Sequence, residues 1–255
     1  IEHDDGGVTG VTTNSGFYEA KKIILATGGA SYPTTGSTGD GYKFARMLGH
    51  TIVEPQGSLV PLETAGPDAP EMQGLALKNT ALKLLNPKGK AVYKDFGEML
   101  FTHFGVSGPL VLTMSCHLPD NLADATVTLN LKPGLTREQL DARLQRDFDD
   151  NSRKMLRSVL PSLLPARLAE LFPALCGVDG DKVCAQITRE EREVIADKVQ
   201  NLPLTLKKLA PIEEAIVTRG GVSVKEIDPS TMESKLVSGL YFAGEVIDVD
   251  AHTGG

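Results

Sequence analysis

The sequence has 255 residues, of which 41% are apolar and 23% charged, with a formal net charge of -7 at pH 7. A chain of this length and composition can bury a full hydrophobic core, which excludes a disordered protein. No basic run is longer than the two residues Lys207 and Lys208, so no contiguous footprint for nucleic acid or an anionic membrane is present. We therefore expect neither partner.

The three cysteines, Cys116, Cys176 and Cys184, include no Cys-x-x-Cys pair. Their number and spacing suggest neither a disulfide framework nor a zinc site, and we expect no metal. Free cysteines are typical of a reducing compartment, so the expected location is cytoplasmic. No apolar run approaches the ~20 residues of a membrane-spanning helix.

The first elements in chain order are a hairpin and a helix. Residues 8–13 and 17–27 predict two strands around the turn 14–16. The second strand ends in the apolar run IILA, which is typical of a strand buried on both faces. Asp40 is predicted to cap the helix 41–48, and Gly49 to end it.

The stretch between strand and helix, ILATGGASYPTTGSTGDG at 24–41, is rich in glycine. Glycine lets the backbone approach a ligand and adopt positive φ, and a helix N-terminus offers free N–H groups. This pattern favours a nucleotide-binding loop at the carboxyl end of a strand. Gly28 and Gly29 also fit a simple tight turn.

The middle of the chain changes from strands to helices. Residues 75–85 and 91–101 predict strands joined by the turn 86–89, and a further strand is predicted at 127–131. Thr136 with Gln139, and Thr188 with Glu191, predict two capping boxes, and prolines 161, 165 and 173 are predicted to divide the stretch between them into short helices. The simplest architecture is a domain of residues 1–60 and 216–255 interrupted by an insertion at 61–215, which is β-rich over 61–133 and helical over 134–210.

A second glycine-bearing strand lies near the end of the sequence. GLYFAGE, residues 239–245, ends in Gly244 and in Glu245, whose carboxylate can accept hydrogen bonds from ribose or ribityl hydroxyls. We predict that the strands before Gly28 and Gly244 are neighbours in one sheet.

The order and spacing of ATGG at 26–29, TGDG at 38–41, TRGGV at 218–222 and GLYFAGE carry a family resemblance. The chain resembles FAD flavoproteins of the succinate dehydrogenase and fumarate reductase superfamily, and within it the BaiN-like and aminoacetone-oxidase-like bacterial flavoproteins. The resemblance implies an α/β fold, α+β overall, in which a partial Rossmann-like FAD-binding domain is interrupted by the inserted domain.

The resemblance also implies which residues contact FAD. They are Thr27, Gly28, Gly29, Thr38, Gly39, Asp40, Gly220, Gly221, Gly244, Glu245, Asp248, Thr253, Gly254 and Gly255. Glu245 would hold the ribityl chain, and the last three residues would open a helix whose amides stabilise the reduced flavin. Asp248 and Asp250 fit substrate steering or a helix cap equally well.

The family's amino-terminal GxGxxG segment and its last helix have no counterpart between Ile1 and Gly255. We therefore expect a fragment of a longer flavoprotein, one that holds FAD weakly or not at all and is inactive alone.

The expected activity of the parent is that of an FAD-dependent oxidoreductase for a small organic substrate, with NAD(P)H as a candidate donor. Because the flavin carries the hydride chemistry, no side-chain constellation is required. His103 and His252 are candidate acids or bases, although a lone histidine is more often structural. The alternative is a non-catalytic flavin-binding scaffold whose helical insertion binds a partner, and the acidic net charge argues against RNA as that partner.

Overall fold

The computed structural model describes residues 1–119 and 121–251. The chain divides into two compact units, the first formed by Ile1–Val60 with Ala210–Gly255 and the second by Pro61–Leu209. Each unit has its own cluster of buried apolar side chains.

The described residues form fourteen strands and seven α-helices. The strands are β1 (Glu2–Asp4), β2 (Gly7–Thr13), β3 (Gly16–Glu19), β4 (Ile23–Leu25), β5 (Ile52–Ser58), β6 (Leu62–Thr64), β7 (Ala76–Leu85), β8 (Ala91–Phe101), β9 (Gly105–Ser107), β10 (Thr126–Asn130), β11 (Leu202–Leu204), β12 (Leu206–Leu209), β13 (Val217–Val222) and β14 (Leu240–Phe242). The helices are α1 (Asp40–Met47), α2 (Asp68–Glu71), α3 (Pro109–Ser115), α4 (Arg137–Asp150), α5 (Leu156–Val159), α6 (Ala166–Cys176) and α7 (Arg189–Gln200).

The first unit contains three small sheets. β1, β2 and β3 form an antiparallel sheet, β13 pairs antiparallel with β5, and β14 pairs parallel with β4. The single strand predicted at 17–27 is therefore wrong, because the chain leaves the hairpin after Glu19 and Ile23 then pairs with Leu240. The prediction that IILA is buried on both faces is also wrong, since 67% of Ile24 is exposed while Leu25 is buried.

Helix α1 begins one residue earlier than predicted. Its N-cap is Gly39, in the left-handed region at φ 75, and no side chain caps the helix. Asp40 is the first helical residue, so its predicted role as the N-cap is wrong. Gly49, with φ 86, lies in the left-handed conformation just after the helix, as a terminating glycine does.

The second unit is built on one antiparallel sheet of seven strands in the order β11-β10-β7-β8-β9-β6-β12. Strands β7 and β8 lie within one residue of their predicted bounds, and Asn86 closes their turn by accepting the N–H groups of Lys88 and Lys90 at 3.0 Å. The stretch 134–210 is not helical throughout, because β11 and β12 return to this sheet. The architecture is mixed, with helices and a large antiparallel sheet, as in α+β proteins.

Both predicted capping boxes are present. Thr136 and Gln139 cap α4, and Thr188 and Glu191 cap α7. Pro173 does not divide the helices as predicted, because it lies inside α6, which continues to Cys176. Within residues 1–119 and 121–251, no helix has the length and apolar character that crossing a membrane requires.

Candidate functional site

The two glycine-bearing strands are neighbours, as the sequence predicts. In the parallel pair, Phe242 lies opposite Leu25, and the N–H of Ala243 donates to the carbonyl of Leu25 at 3.1 Å. Both strands therefore end at the same edge. Gly28 and Gly244 follow with φ 76 and φ 77, a conformation that glycine adopts without the strain that other residues incur.

Thr218, on β13, holds the loop that follows β4. Its buried Oγ1 accepts the N–H of Ala30 at 2.8 Å and the N–H of Ser31 at 3.0 Å. The loop backbone is thereby tied to a strand 188 residues away in sequence. Sequence reasoning considered the TRGGV segment but missed this threonine, because nothing local to Thr218 indicates its partners.

Gly29 lies where the loop meets Thr218 and Glu245. A Cβ at this position would collide with Thr218 Oγ1 and lie 2.9 Å from Glu245 Oε2. Only glycine leaves room for this approach. The loop backbone, the threonine hydroxyl and the Glu245 carboxylate therefore converge at one point.

Tyr42, on α1, positions the backbone of Glu245. Its hydroxyl donates to the Glu245 carbonyl at 3.2 Å. Burial, reinforced by the negative charge of Glu245, raises the pKa of Tyr42 to about 12. The phenol therefore remains a neutral donor at physiological pH. Sequence reasoning also missed this residue.

The start of α1 is packed against the same loop. A Cβ on Gly41 would collide with Thr27 Oγ1 and lie 3.0 Å from Val246 Cγ2. Asp40 is exposed and accepts hydrogen bonds from Lys43 Nζ and Thr38 Oγ1, both at 2.8 Å. These two bonds hold its pKa below the ordinary value. Contact of Thr38, Gly39 and Asp40 with a cofactor stays a prediction.

Gly220 and Gly221 have a packing reason of their own. A Cβ on Gly220 (φ 91) would lie 2.6 Å from the Glu54 carbonyl oxygen. A Cβ on Gly221 (φ 125) would lie 2.6 Å from the Val246 carbonyl oxygen. Strand β13 can approach the backbones of Glu54 and Val246 this closely only because Gly220 and Gly221 have no side chains. Contact of Gly220 and Gly221 with a flavin stays a prediction.

A cavity of about 510 Å³ lies beside Gly244 and Glu245. Its volume is typical of a small-molecule site. Apart from Glu245 its walls are formed by apolar residues and glycine: Val224, Ile227, Pro229, Met232, Gly244, Ile247 and Val249. A Cβ on Gly244 would meet no atom within 4 Å, so the backbone here faces open space. The arrangement offers one carboxylate at the edge of an apolar chamber.

The other predicted site residues are more dispersed. His103 belongs to the second unit, where its ring lies edge-on to Phe104 at 5.0 Å. The Asp248 N–H donates to the Val222 carbonyl, and Asp250 accepts a hydrogen bond from Ser58 Oγ at 3.0 Å. The predictions for His252, Thr253, Gly254 and Gly255 lie outside the described residues.

The chemistry of this site fits a flavin nucleotide. A flavin needs apolar walls for its ring system and acceptors for its hydroxyl-rich chain, and the chamber and Glu245 provide these. The backbone at Gly244 faces open space, so a sugar or phosphate group can approach it closely. The site therefore has the features that a nucleotide cofactor requires.

Comparison with known proteins identifies the family. Residues 56–217 match the model of the HI0933-like protein barrel and H2TH domain. The chain belongs to the HI0933-like flavoprotein family.

Similar curated proteins carry two kinds of name. The chain is 34% identical to a ribosomal RNA dihydrouridine synthase of Haemophilus influenzae and 30% identical to one of Escherichia coli, in each case over 100% of this chain and 61% of the relative. It is 27% identical to a 3-dehydro-bile acid delta(4,6)-reductase of Clostridium scindens, over 93% of this chain and 58% of the relative. The chain thus spans about three fifths of the length of these relatives.

These names correct the expected enzyme class. The sequence predicts an FAD-dependent oxidoreductase for a small organic substrate, whereas the relatives at 34% and 30% identity are named for a reaction on ribosomal RNA. The prediction of an enzyme for a small organic substrate is therefore wrong. The resemblance to BaiN-like flavoproteins agrees with the family match and with the bile-acid reductase.

Proposed function

We propose that this chain is the flavin-binding part of an enzyme that reduces uridine to dihydrouridine in ribosomal RNA. The observation that carries the proposal is the convergence of the Gly28–Gly29 loop, Thr218 and Glu245 beside an apolar chamber. Identity over the whole chain to two ribosomal RNA dihydrouridine synthases supports the choice of substrate.

The cofactor that suits this site best is FAD. In the proposal the Glu245 carboxylate accepts hydrogen bonds from the ribityl or ribose hydroxyls, and the apolar chamber takes the ring system. The loop at Gly28 and Gly29, fixed by Thr218, lies against the more polar part of the cofactor. Tyr42 holds the Glu245 backbone in place by its hydrogen bond.

Forming dihydrouridine adds one hydride and one proton across the C5–C6 double bond of uracil. The hydride would come from a reduced flavin held in this site, and an external two-electron donor would be needed to reduce the flavin again. The chain's own residues bind and orient the cofactor, and its apolar walls exclude water from the ring. NADH and NADPH are the donors to test, and His103 and His252 remain candidates for proton transfer.

The proposal gives the chain an RNA partner, which its composition does not predict. A net charge of -7 describes the sum over all residues. RNA binding depends instead on local positive potential where phosphates lie. An acidic total is compatible with RNA binding if lysines or arginines gather on one surface.

The test uses protein expressed from its complete reading frame and reconstituted with FAD. We expect it to convert uridine to dihydrouridine in unmodified ribosomal RNA when NADH or NADPH is supplied, detected as a mass gain of two hydrogens in digested nucleosides. Glu245→Gln should bind FAD roughly tenfold more weakly, because a charge-assisted hydrogen bond becomes a neutral one. Glu213→Gln, a change at an exposed carboxylate of the same unit, should leave FAD binding unchanged.

Protein that holds stoichiometric flavin but forms no dihydrouridine with either donor would overturn the proposal. That result would instead support the non-catalytic flavin scaffold. Normal FAD affinity in Glu245→Gln would overturn the assignment of the carboxylate.

A further inference from the structure

The seven-stranded sheet of the second unit has an outward face that its core does not use. Along β8 the side chains alternate, so that Met99 and Phe101 are buried on one face while Lys94 and Phe96 point to the other. Phe96 is 57% exposed. An exposed phenyl ring in the middle of a strand loses the stabilisation that burial would provide, by about 1.5–3 kcal/mol for a side chain of this size.

Two lysines lie directly opposite each other on this face. Lys83 of β7 pairs in register with Lys94 of β8, and like charges in facing positions destabilise a sheet. In the part of the chain that the structure describes, neither lysine has a carboxylate within ion-pair distance. Asp95, next in sequence, points the other way and accepts the Tyr93 hydroxyl at 2.9 Å. The outward row of β8 carries one carboxylate, Glu98, and Phe96 lies between it and Lys94.

The hairpin is positive within an acidic protein. Residues 76–101 contain five lysines and two carboxylates, whereas the whole chain has a net charge of -7. The lysines are separated in sequence, so no basic run indicates them. Strand alternation and cross-strand register bring Lys83 and Lys94 together on one face.

Basic side chains in the helical part of the same unit differ from Lys83 and Lys94 in having carboxylate partners. Four of them are paired with carboxylates at 2.6–2.9 Å: Arg143 with Asp147, Arg189 with Glu193, Arg192 with Asp141, and Lys182, in the loop before α7, with Glu191. These charges are neutralised within the protein. The lysines of the outward sheet face keep their charge available for an external anion.

A hollow of about 520 Å³ adjoins Phe96 on this face. Its walls include Asn79, Lys132 and the segment that leads from Leu131 to Leu135. It therefore places an aromatic ring, an amide and an ammonium group around a space of small-molecule size.

We propose that this face, defined by Lys83, Lys94, Phe96 and Lys132, binds an unpaired stretch of ribosomal RNA. A base stacks on the Phe96 ring and the neighbouring phosphates lie on Lys83 and Lys94. Unpaired RNA is recognised by bases stacked on exposed aromatic rings of a sheet, with basic residues along the backbone. The inference deepens the proposed function and rests on it for the nature of the RNA.

The first experiment measures binding of an unstructured oligouridylate to the flavin-loaded protein. Phe96→Ala should weaken binding about tenfold, within the range found when a stacking aromatic is truncated, while Phe96→Trp should retain it. Lys83→Ala with Lys94→Ala should reduce the slope of log affinity against log salt by roughly 1.4, because each single-strand phosphate contact contributes about 0.7.

Matched controls come from the same sheet. Val92→Ala removes an exposed apolar side chain from the outward row of β8, and Lys207→Ala with Lys208→Ala removes two charges that pair with Glu63. Both should leave oligouridylate affinity unchanged. Thermal unfolding and flavin content, measured on every variant, verify that the fold is intact.

The outcomes separate the two proposals. Absence of dihydrouridine formation by the unaltered protein overturns the proposed function, while the binding measurements still test the face. If the Phe96→Ala protein binds oligouridylate as tightly as the unaltered protein, this face is not the RNA site. The same conclusion follows if Lys207→Ala with Lys208→Ala weakens binding as much as Lys83→Ala with Lys94→Ala. A preference of the unaltered protein for duplex RNA would also overturn base stacking on Phe96.

Discussion

Thr218 illustrates how one residue determines the local geometry of the site. Its hydroxyl satisfies two backbone N–H groups of a loop that is distant in sequence, and its side chain is fully buried. A buried donor that loses its acceptor costs about 1–3 kcal/mol, more than the bond itself contributes.

We therefore predict that Thr218→Val lowers the free energy of unfolding by about 2 kcal/mol and weakens FAD binding. Valine keeps the shape of threonine but cannot accept the N–H groups of Ala30 and Ser31. Denaturant titration and flavin titration measure the two effects. Thr126→Val, at an exposed strand position, is the control and should change neither. Equal stability of the two variants would contradict the role of Thr218.

Among the elements, helix α7 has an N-terminal capping box formed by residues close together in the sequence. Thr188 Oγ1 accepts the Glu191 N–H at 3.2 Å, and the Glu191 carboxylate accepts the Thr188 N–H at 2.7 Å. The Lys182 ammonium beside Glu191 holds the pKa of that carboxyl below its usual range. The helix then buries Ile195, Ala196 and Val199 at helical spacing.

Removing this cap gives a prediction at the scale of the element. Thr188→Ala should lower the free energy of unfolding by about 1 kcal/mol, because the Glu191 N–H loses the hydroxyl that accepts it. Thr188→Ser keeps the hydroxyl and should be nearly neutral. Urea unfolding measures both variants, and a Ser variant as unstable as the Ala variant would indicate that the methyl group, not the cap, is responsible.

For the whole molecule, the organisation of the second unit indicates that it can be separated. All seven strands of its sheet lie within Pro61–Leu209. The first and last of them, β6 and β12, are paired neighbours, with Leu62 opposite Leu209. The two ends of the segment are thus adjacent, and its apolar core consists of its own residues.

We predict that residues 61–209, expressed alone, fold cooperatively. The reason is that excision breaks none of the strand pairings of this sheet. Circular dichroism and thermal unfolding test this. A segment of residues 61–200, which lacks β11 and β12, removes both edge strands and should unfold at a lower temperature or not fold at all. Absence of a cooperative transition for 61–209 would contradict the prediction.

Local interactions explain which parts of the fold could be predicted. The two capping boxes, the turn at Asn86 and the strands beside it depend on residues within a few positions of one another, so spacing in the sequence is enough to predict them. The prediction of one strand at 17–27 is wrong because β3 pairs with β2 whereas β4 pairs with β14. The residues favour strand formation throughout, but the pairing partner changes between the two strands. Pattern alone cannot select a pairing partner.

By itself, the sequence determined the glycine loops, the capping boxes of α4 and α7, and the adjacency of the strands before Gly28 and Gly244. Only the tertiary structure decided that Thr218 holds the loop and that Lys83, Lys94 and Phe96 share one exposed face. The physical reason is that these contacts depend on long-range packing and strand register. Both arise from burial of the whole core and leave no trace in any short segment.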